Sequence, residues 1–442
     1  MDGSVLQNLC ARESPIAAEE ASPRKLPPRT SGPLIRLLWF VLCLTSLPSI
    51  GEFGFHAARA EELSPKAVGS TIKIGNTMPY SGPASAYGVI GKTESAYFNM
   101  INDTGGINGR KIDFISYDDA NSPPKTVEQV RKLVEGDEVL FMFNPLGTSP
   151  NGAIQKYLNA KKVPQLFVAS GATKWGDPQR FPWTMGFQPN YQSEGRIFAS
   201  YILSNHPNAK IAILYQNDDF GKDEIKGLRD GLGSKADMIV ATASIEITDP
   251  TIDSQVVTLK NSGADIMITL AAPKAASQSI RKLAELGWKP IHLIANVASS
   301  VASVLKPAGL ENSQGLISTA YLKDPSDPSM KDDPAVKKWL SFMEKYYADG
   351  DRSNTNIVFG YVLSQAVVQV LRQCGNNLSR ENIMKQAANL KDVSLDMLLP
   401  GISVNTASDD YFPIEQMQLM RFQGTSWRLE GSVVIGEVGS GR

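Results

Sequence analysis

Cysteine and histidine are scarce in this chain, with three of each in 442 residues. His56, His206 and His292 stand far apart, and His206 falls in the turn NHPNAK while His292 falls inside a strand-like run. A zinc site draws on several His or Cys ligands at defined spacing, which this inventory does not offer, and no metal or cofactor is expected. A G-x-S-x-G nucleophile motif is also missing; GTSPNG has the wrong interval and no evident base. Asp118-Asp119 and Asp218-Asp219 are paired acids, yet adjacent strand residues point to opposite faces and seldom act together. Neither sign of charge is in surplus: 44 Lys and Arg stand against 45 Asp and Glu, a formal net charge of -1. That balance argues against a nucleic acid or an anionic membrane surface as partner. A chain without nucleophile, base or metal site reads as a binding protein and not as an enzyme.

What is present is globular in kind. With 42% hydrophobic and 20% charged residues, the chain can fill two or three domain-sized cores. The first sixty residues differ from the rest. Arg24, Lys25, Arg29 and Arg36 precede the apolar run LLWFVLCLTSL, and Pro48, small residues and Ala58-Arg59-Ala60 follow it. Basic region, short apolar core and A-x-A site are the order of a secretory signal, here over residues 1–60. The run is too short to cross a bilayer, which takes about twenty apolar residues. The basic region is unusually long, so an uncleaved anchor and an earlier-than-true start codon both stay open. Cleavage after Ala60 removes Cys10 and Cys43 and leaves Cys374 alone in GYVLSQAVVQVLRQC, where it reads as a packed helix residue with no disulfide partner.

Gly91-Lys92-Thr93 poses a separate question, because GKT also ends a phosphate-binding loop. That loop needs Gly-x-x-x-x-Gly-Lys-Ser/Thr, its first glycine opening the nest of amides. Ala86 stands at the required position and Gly88 comes too late, so the nest is not formed.

From residue 70 onward, short β-rich runs alternate with amphipathic helical ones. TIKIGNTMP reads as a strand, GKTESAYFNMIND as a helix and KIDFISYDD as a strand. SPPKTVEQVRKLV places Ser122 to cap, proline in the first turn, and Val127, Val130, Leu133 and Val134 on one face. VLFMFNP, PQLFVAS, KIAILYQN, ADIMITLAA and PIHLIAN continue as buried-type strands. Strands separated by helices predict parallel sheets in an α/β protein, and so many strands fit two sheets better than one. Open parallel sheets bind ligands beyond the carboxyl ends of their strands, which puts the chemistry in the loops after NTMP, FNP, VAS and LYQN.

The ordered set SGPASAYG, FNMINDTGGINGRKIDFISYDDA, LGTSPNGA, VASGAT and NDDFGKDEIKGLRDGL resembles the periplasmic leucine/isoleucine/valine-type substrate-binding proteins of ABC importers. The similarity runs from about Ser70 to the C-terminus. It implies the type I periplasmic binding protein fold: two Rossmann-like lobes joined by a three-strand hinge, with ligand in the cleft between them. The lobes implied are residues 70–190 with 320–400, and residues 191–319 with 401–435. The implied partners are a small-molecule carboxylate ligand and the membrane permease subunits of an ABC transporter, the binding protein itself acting as a periplasmic monomer.

Residue by residue, the resemblance puts Tyr87 at the edge of the cleft and makes Lys92 and Thr93 surface residues of a first helical turn. The carboxylate pocket maps onto Thr148 and Ser149 in LGTSP, and onto Gly171, Ala172 and Thr173 in SGAT. Short hydroxyls and free helix N-terminal amides can surround a carboxylate without a countercharge, although Thr148 and Ser149 would serve equally as helix caps. Phe220 matches the aromatic that covers the ligand from the other lobe. Trp175, Trp183 and Tyr191 lie just beyond the carboxylate loop, where an aromatic wall suits a flat apolar ligand; Trp183 reads equally as core.

Two departures from the family bear on the ligand, and a third, the absent cysteine pair, leaves stability to packing alone. Amino-acid binders of the family carry an acid after the PIHLIAN-like strand, to pair with the ligand ammonium. Here Asn296 is the nearest match, and no acid follows until Glu311. Ala271, Ala272 and Pro273 stand where some relatives have a tyrosine, leaving room for a larger ligand. A cysteine pair of some relatives is replaced by Asn121 and Gly147. The leading expectation is therefore an exported protein delivering a small carboxylate, an aromatic or other apolar acid, to an importer. A hydrophobic amino acid, with water or another acid as countercharge, and a sensor on the same fold are the alternatives. The export reading predicts a mature N-terminus at Glu61. Mass spectrometry of the native protein checks it, and residues 30–60 found intact on a membrane-bound form would favour the anchor.

Overall fold

The computed structural model describes residues 71–436; the expected export signal over residues 1–60 lies outside the described residues. The first sheet is built from β1 (Thr71–Met78), β2 (Lys111–Asp118), β3 (Phe141–Phe143), β4 (Gln165–Val168) and β5 (Thr184–Gly186). Its order is β2-β1-β3-β4-β5, with every pair parallel. Helices α1 (Val89–Asp103), α2 (Pro123–Arg131) and α3 (Thr148–Ala160) make the crossovers. Pro123 opens α2, where its missing N–H costs nothing. Ser122 occupies the cap position with extended backbone, but its side chain makes no capping bond. Val130 and Leu133 are fully buried, and Val127 and Val134 pack half-buried beside them.

The second sheet follows α4 (Tyr191–Asn205). It comprises β6 (Ile211–Gln216), β7 (Ile239–Ile245), β8 (Ile266–Leu270), β9 (Ile291–Ile294) and β10 (Ile317–Ala320), linked through α5 (Asp219–Leu232), α6 (Asp253–Asn261), α7 (Pro273–Glu285) and the short α8 (Lys306–Ala308). The chain then forms α9 (Pro334–Tyr346), α10 (Thr355–Gln373) and α11 (Arg380–Ala387), and returns as the hairpin β11 (Gln416–Gln423) and β12 (Ser426–Ile435). The strand order is β12-β11-β10-β9-β8-β6-β7. The strands from β7 to β10 run parallel; β11 and β12 are antiparallel, a departure from the all-parallel expectation. Central strands such as IMITL are buried on both faces, as helices above and below a parallel sheet require. His292 is one of these interior residues. Its Nε2 lies 2.9 Å from Thr269 Oγ1, and burial lowers its pKa to about 3, so the ring stays neutral.

Helices α9 and α10 pack on α1, beside the first sheet, although they follow β10 of the second. The chain therefore passes between the sheets three times: after β5, after β10, and after α11. Helix α10 is apolar along almost its whole length and buries Ile357, Val358, Tyr361, Val362 and Leu363. Gly360 lets it approach α1 closely, since a Cβ there would lie 2.9 Å from the Ile90 carbonyl oxygen. No helix among the described residues is long and apolar enough to cross a membrane. Cys374 caps the C-terminal end of α10 and is buried, its thiol pushed up to about 11 by desolvation.

The GKT segment lies early in α1. Lys92 is exposed, but Thr93 is fully buried and donates its hydroxyl to the Val89 carbonyl at 2.7 Å, which corrects the expectation that both face solvent. The helix presents Thr93 to α10, beside Gly360. The close helix contact predicts that Gly360→Val costs about 1–3 kcal/mol through overpacking. Urea unfolding followed by circular dichroism measures it, and an unchanged midpoint would mean that the two helices can separate freely.

Candidate functional site

A cavity of about 120 Å³ lies where the carboxyl ends of the two sheets meet. From the first sheet come Ala84 and Tyr87 after β1, Asn121 after β2, Leu146 to Pro150 after β3, and Ala169 after β4. From the second come Gln216, Asp218 and Phe220 after β6, Ala272 after β8, and Asn296, Val297 and Ser299 after β9. These are the strand ends where strand order reverses in each sheet, β1 and β3 in one and β6 and β8 in the other, and where open α/β sheets hold ligands. The Tyr87 hydroxyl donates to the Val297 carbonyl at 3.0 Å and so ties the two sides together.

Of the residues singled out from sequence, Tyr87, Thr148, Ser149, Tyr191, Phe220 and Asn296 are brought together around this cavity. Thr148 and Ser149 begin α3 behind Gly147, and neither makes a side-chain cap. Their amides belong to the first turn, which has no partners within the helix. The Thr148 hydroxyl lies 2.7 Å from Ser170 Oγ, and Ser170 Oγ accepts the Ala172 amide at 3.3 Å. The Tyr191 ring packs against Phe220 with centroids 4.7 Å apart, an aromatic corner open to the cavity. Burial pushes the Tyr191 phenol upward, so it stays a hydrogen-bond donor.

Six others do not line the cavity. Trp175 is 2% exposed and sits in the core with Tyr191 and Phe198, so it is no cavity wall. The indole has been drawn inward, with Lys174 Nζ 4.8 Å above its ring. Gly171 is buried against Pro189 and Tyr191, and Ala172 beside it is buried too. Thr173 donates its amide to Asp223 Oδ2 at 2.7 Å and its hydroxyl to Asn190 Oδ1 at 3.1 Å. A carboxylate of the protein itself thus occupies the donor expected for a ligand. Ala271 faces the core on the far side of β8, and its neighbour Ala272 takes the cavity position, as alternation along an extended chain requires. Trp183 is half-buried and lines a separate groove with Pro182 and Tyr411.

Asn296 is held from behind. Its amide donates to Glu194 Oε1 at 2.8 Å, and its side-chain amide donates to the Thr319 carbonyl. The same Glu194 oxygen accepts the Thr319 hydroxyl at 2.6 Å. Glu194 is buried against Glu224, whose two carboxyl oxygens meet no other donor. Two carboxyls in one apolar site share a proton. Burial and the neighbouring Glu194 carboxyl hold Glu224 well above the usual range, and burial raises Glu194 less because it has donors of its own.

Sequence reasoning missed a second group of lining residues: Tyr321, Leu322 and Asp324 after β10, Thr355, Asn356 and Phe359 at the start of α10, and Met420 and Trp427 on the hairpin. The acid-proline run KDPSDP was the one visible signal. Among the described residues, Asp218 and Asp324 are the charged residues of the lining, and no Lys, Arg or His belongs to it. Asn121 and Gly147, which stand where some relatives have cysteines, both line the cavity, and Asn121 Oδ1 fills the space a Gly147 side chain would need.

Comparison with known proteins agrees with this geometry. A family model described as "Periplasmic binding protein" matches residues 71–426. The chain is 25% identical over 338 residues to "Leu/Ile/Val-binding protein homolog 1" of Brucella suis biovar 1 (strain 1330), a match covering 74% of this chain and 85% of that one. A branched chain amino acid ABC transporter structure from Thermus thermophilus, with bound valine, aligns at TM-score 0.75 and 14% identity over 83% of this chain and 96% of that one. A fatty acid ABC transporter substrate-binding protein from Thermomonospora curvata aligns at TM-score 0.68 and 20% identity over 83% and 92%. Identities this low in the structures establish the fold alone, and the two are named for different cargoes.

The carboxyl pair generates a pH prediction. A carboxyl with a raised folded pKa binds its proton more tightly when folded, so stability is full at low pH and is lost as pH rises from 4.5, its ordinary value, toward the raised one. Glu224→Gln keeps a donor toward Glu194 and removes the titration. The variant should melt higher than wild type near pH 8 and show a flatter profile between about pH 5 and pH 8. Calorimetric melting across that range tests it; parallel profiles would mean that no proton is shared.

Proposed function

The chain belongs to the periplasmic binding protein family and has its type I fold, and from that premise we propose that it delivers a small carboxylate with an apolar body to the membrane subunits of an ABC importer. The family is one of solute-binding proteins, and its place is the periplasm. The observation that carries the reading is the cavity itself, lined by the carboxyl ends of both sheets and bridged by the Tyr87–Val297 hydrogen bond.

On this reading the carboxylate sits at the first turn of α3, against the amides and hydroxyls of Thr148 and Ser149. The body rests on Tyr191 and Phe220, with Tyr87, Phe359 and Trp427 around it. The lobes are residues 70–190 with 320–400 and residues 191–319 with 401–435, and the three passages between sheets are the hinge. Closure around ligand makes the surface that the permease reads. A hydrophobic amino acid is the second reading, favoured by a lining with two aspartates and no basic residue.

A thermal-shift screen against branched-chain amino acids, aromatic acids, amides and short aliphatic acids tests the proposal. A true ligand at 100 times its Kd adds about 2.7 kcal/mol. Phe220→Ala should then weaken binding about 10- to 100-fold. A folded protein that responds to none of these classes would sink the small-carboxylate reading.

A further inference from the structure

Asp324 ends the segment that leaves β10, and its side chain lines the cavity at 8% exposure. Its Oδ1 is satisfied locally, accepting the Ser326 amide at 2.8 Å and the Ser326 hydroxyl at 2.7 Å. Its Oδ2 is buried and has no hydrogen-bond partner, although the Trp427 amide faces the carboxyl. Among the described residues no basic side chain pairs with it, whereas Asp327, three residues on, is paired with Arg428. Burial holds the Asp324 carboxyl above the usual carboxylate range. A buried acid with one bare oxygen is costly unless something donates to it.

The other unpartnered groups of the lining point the same way. Gln216 Oε1 is buried without a partner, and its orientation is fixed because Nε2 donates to Asp218 Oδ2 at 2.7 Å. Asn121 Oδ1 is likewise unpartnered. Among the buried side-chain atoms of the lining, three unpartnered acceptors thus stand against one unpartnered donor, Asn356 Nδ2. A ligand that completes this set brings several N–H groups and positive charge. A protonated amine has three donors and no acceptor.

We infer that Asp324 is the counter-charge of the cavity's ligand, a protonated amine docking on its free Oδ2, and that this residue selects amine-bearing solutes over their des-amino analogues. The inference rests on the cavity's being the solute site. Asp218 does not compete for the role, because its carboxylate already caps α5 through the Phe220 and Gly221 amides and receives Gln216.

Titration calorimetry with leucine, with isocaproate (leucine without its amine) and with isopentylamine (leucine without its carboxylate) tests the assignment on wild type and Asp324→Asn. Leucine should bind wild type at least about tenfold more tightly than isocaproate. The substitution should weaken leucine about 30-fold or more, because a buried ammonium loses its partner, and leave isocaproate unchanged or tighter. Isocaproate binding wild type as tightly as leucine would overturn the role of Asp324 while leaving the small-carboxylate reading intact. So would an Asp324→Asn protein, folded by circular dichroism, that keeps leucine affinity. Should that variant not fold, the wild-type comparison of leucine with isocaproate still decides. Failure of all three probes to bind wild type would overturn both. Binding of isopentylamine but not isocaproate would support Asp324 and remove the carboxylate from the reading.

Discussion

Much of the cleft hangs from one buried carboxyl group. Glu194 accepts from both Asn296 and Thr319, and its helix α4 lies almost backbone to backbone with α5. Gly195 faces the Glu224 carbonyl and the Leu228 amide, and Gly227 faces the Gln192 carbonyl; any side chain at either glycine would drive the helices apart. That approach buries Glu194 and Glu224 together, and the shared proton keeps the pair from facing each other as two charges. From there Glu194 fixes the loop after β9 and the last residues of β10. Those two segments carry Asn296, Val297, Ala320 and Asp324 into the cavity. One buried carboxyl thus ties two segments of the cavity wall to α4.

The lip of the cavity shows the same economy with charge. Thr173 and Lys174 lie between β4 and β5 of the first sheet, and Asp219 and Asp223 lie on α5, which follows β6 of the second. Asp223 takes the Thr173 amide and also accepts from Gln192 at 2.9 Å, and Asp219 pairs with Lys174 at 2.8 Å. Lys174 and Asp219 remain partly exposed, so this pair contributes little to stability. The Thr173 bond is half-buried and directional, and it takes away a donor that a ligand carboxylate would use. The free amides of the first turn of α3 are then the anion-friendly end of the cavity, and the end near Asp324 is the opposite pole.

How legible this was in the sequence depends on how local the cause is. Strands such as IAILYQ and IMITL, and the proline that opens α2, are set by side chains within a few residues and read correctly, whereas the side-chain caps expected of Ser122, Thr148 and Ser149 are not made. Tyr87, Thr148, Ser149, Tyr191, Phe220 and Asn296 stand in loops or helix starts that follow strands, so the rule about the carboxyl ends of parallel strands reaches them. Asp324, Phe359, Met420 and Trp427 come from a crossing segment, a helix that packs on the opposite sheet, and an antiparallel hairpin. Only the long-range topology brings them to the cavity, and periodicity carries no trace of it. Trp175 and Thr173 misled for a different reason. Their neighbourhood is that of a pocket, but the indole turned into the core and the amide was taken by an acid fifty residues away.

The division of labour inside the cavity explains why fold alone leaves cargo open. Apolar walls from Tyr191, Phe220, Ala272, Phe359 and Met420 accept any body of suitable size, because the hydrophobic term is nearly indifferent to shape and chemistry. Discrimination falls to the few polar atoms with nothing else to bind, since an unmatched buried donor or acceptor is penalised far more than a matched one is rewarded. Related proteins on this fold can therefore exchange cargo by moving one acid or amide while keeping their walls. In this chain the position after β9 holds an amide whose donor is engaged by Thr319, while the acid with an unpartnered oxygen stands on the segment leaving β10, and Gln216 Oε1 is a second unpartnered acceptor of the lining. On the proposed reading, with the solute's acid at the α3 turn and its amine at Asp324, the spacing of those two groups would select among solutes whose apolar bodies fit equally well.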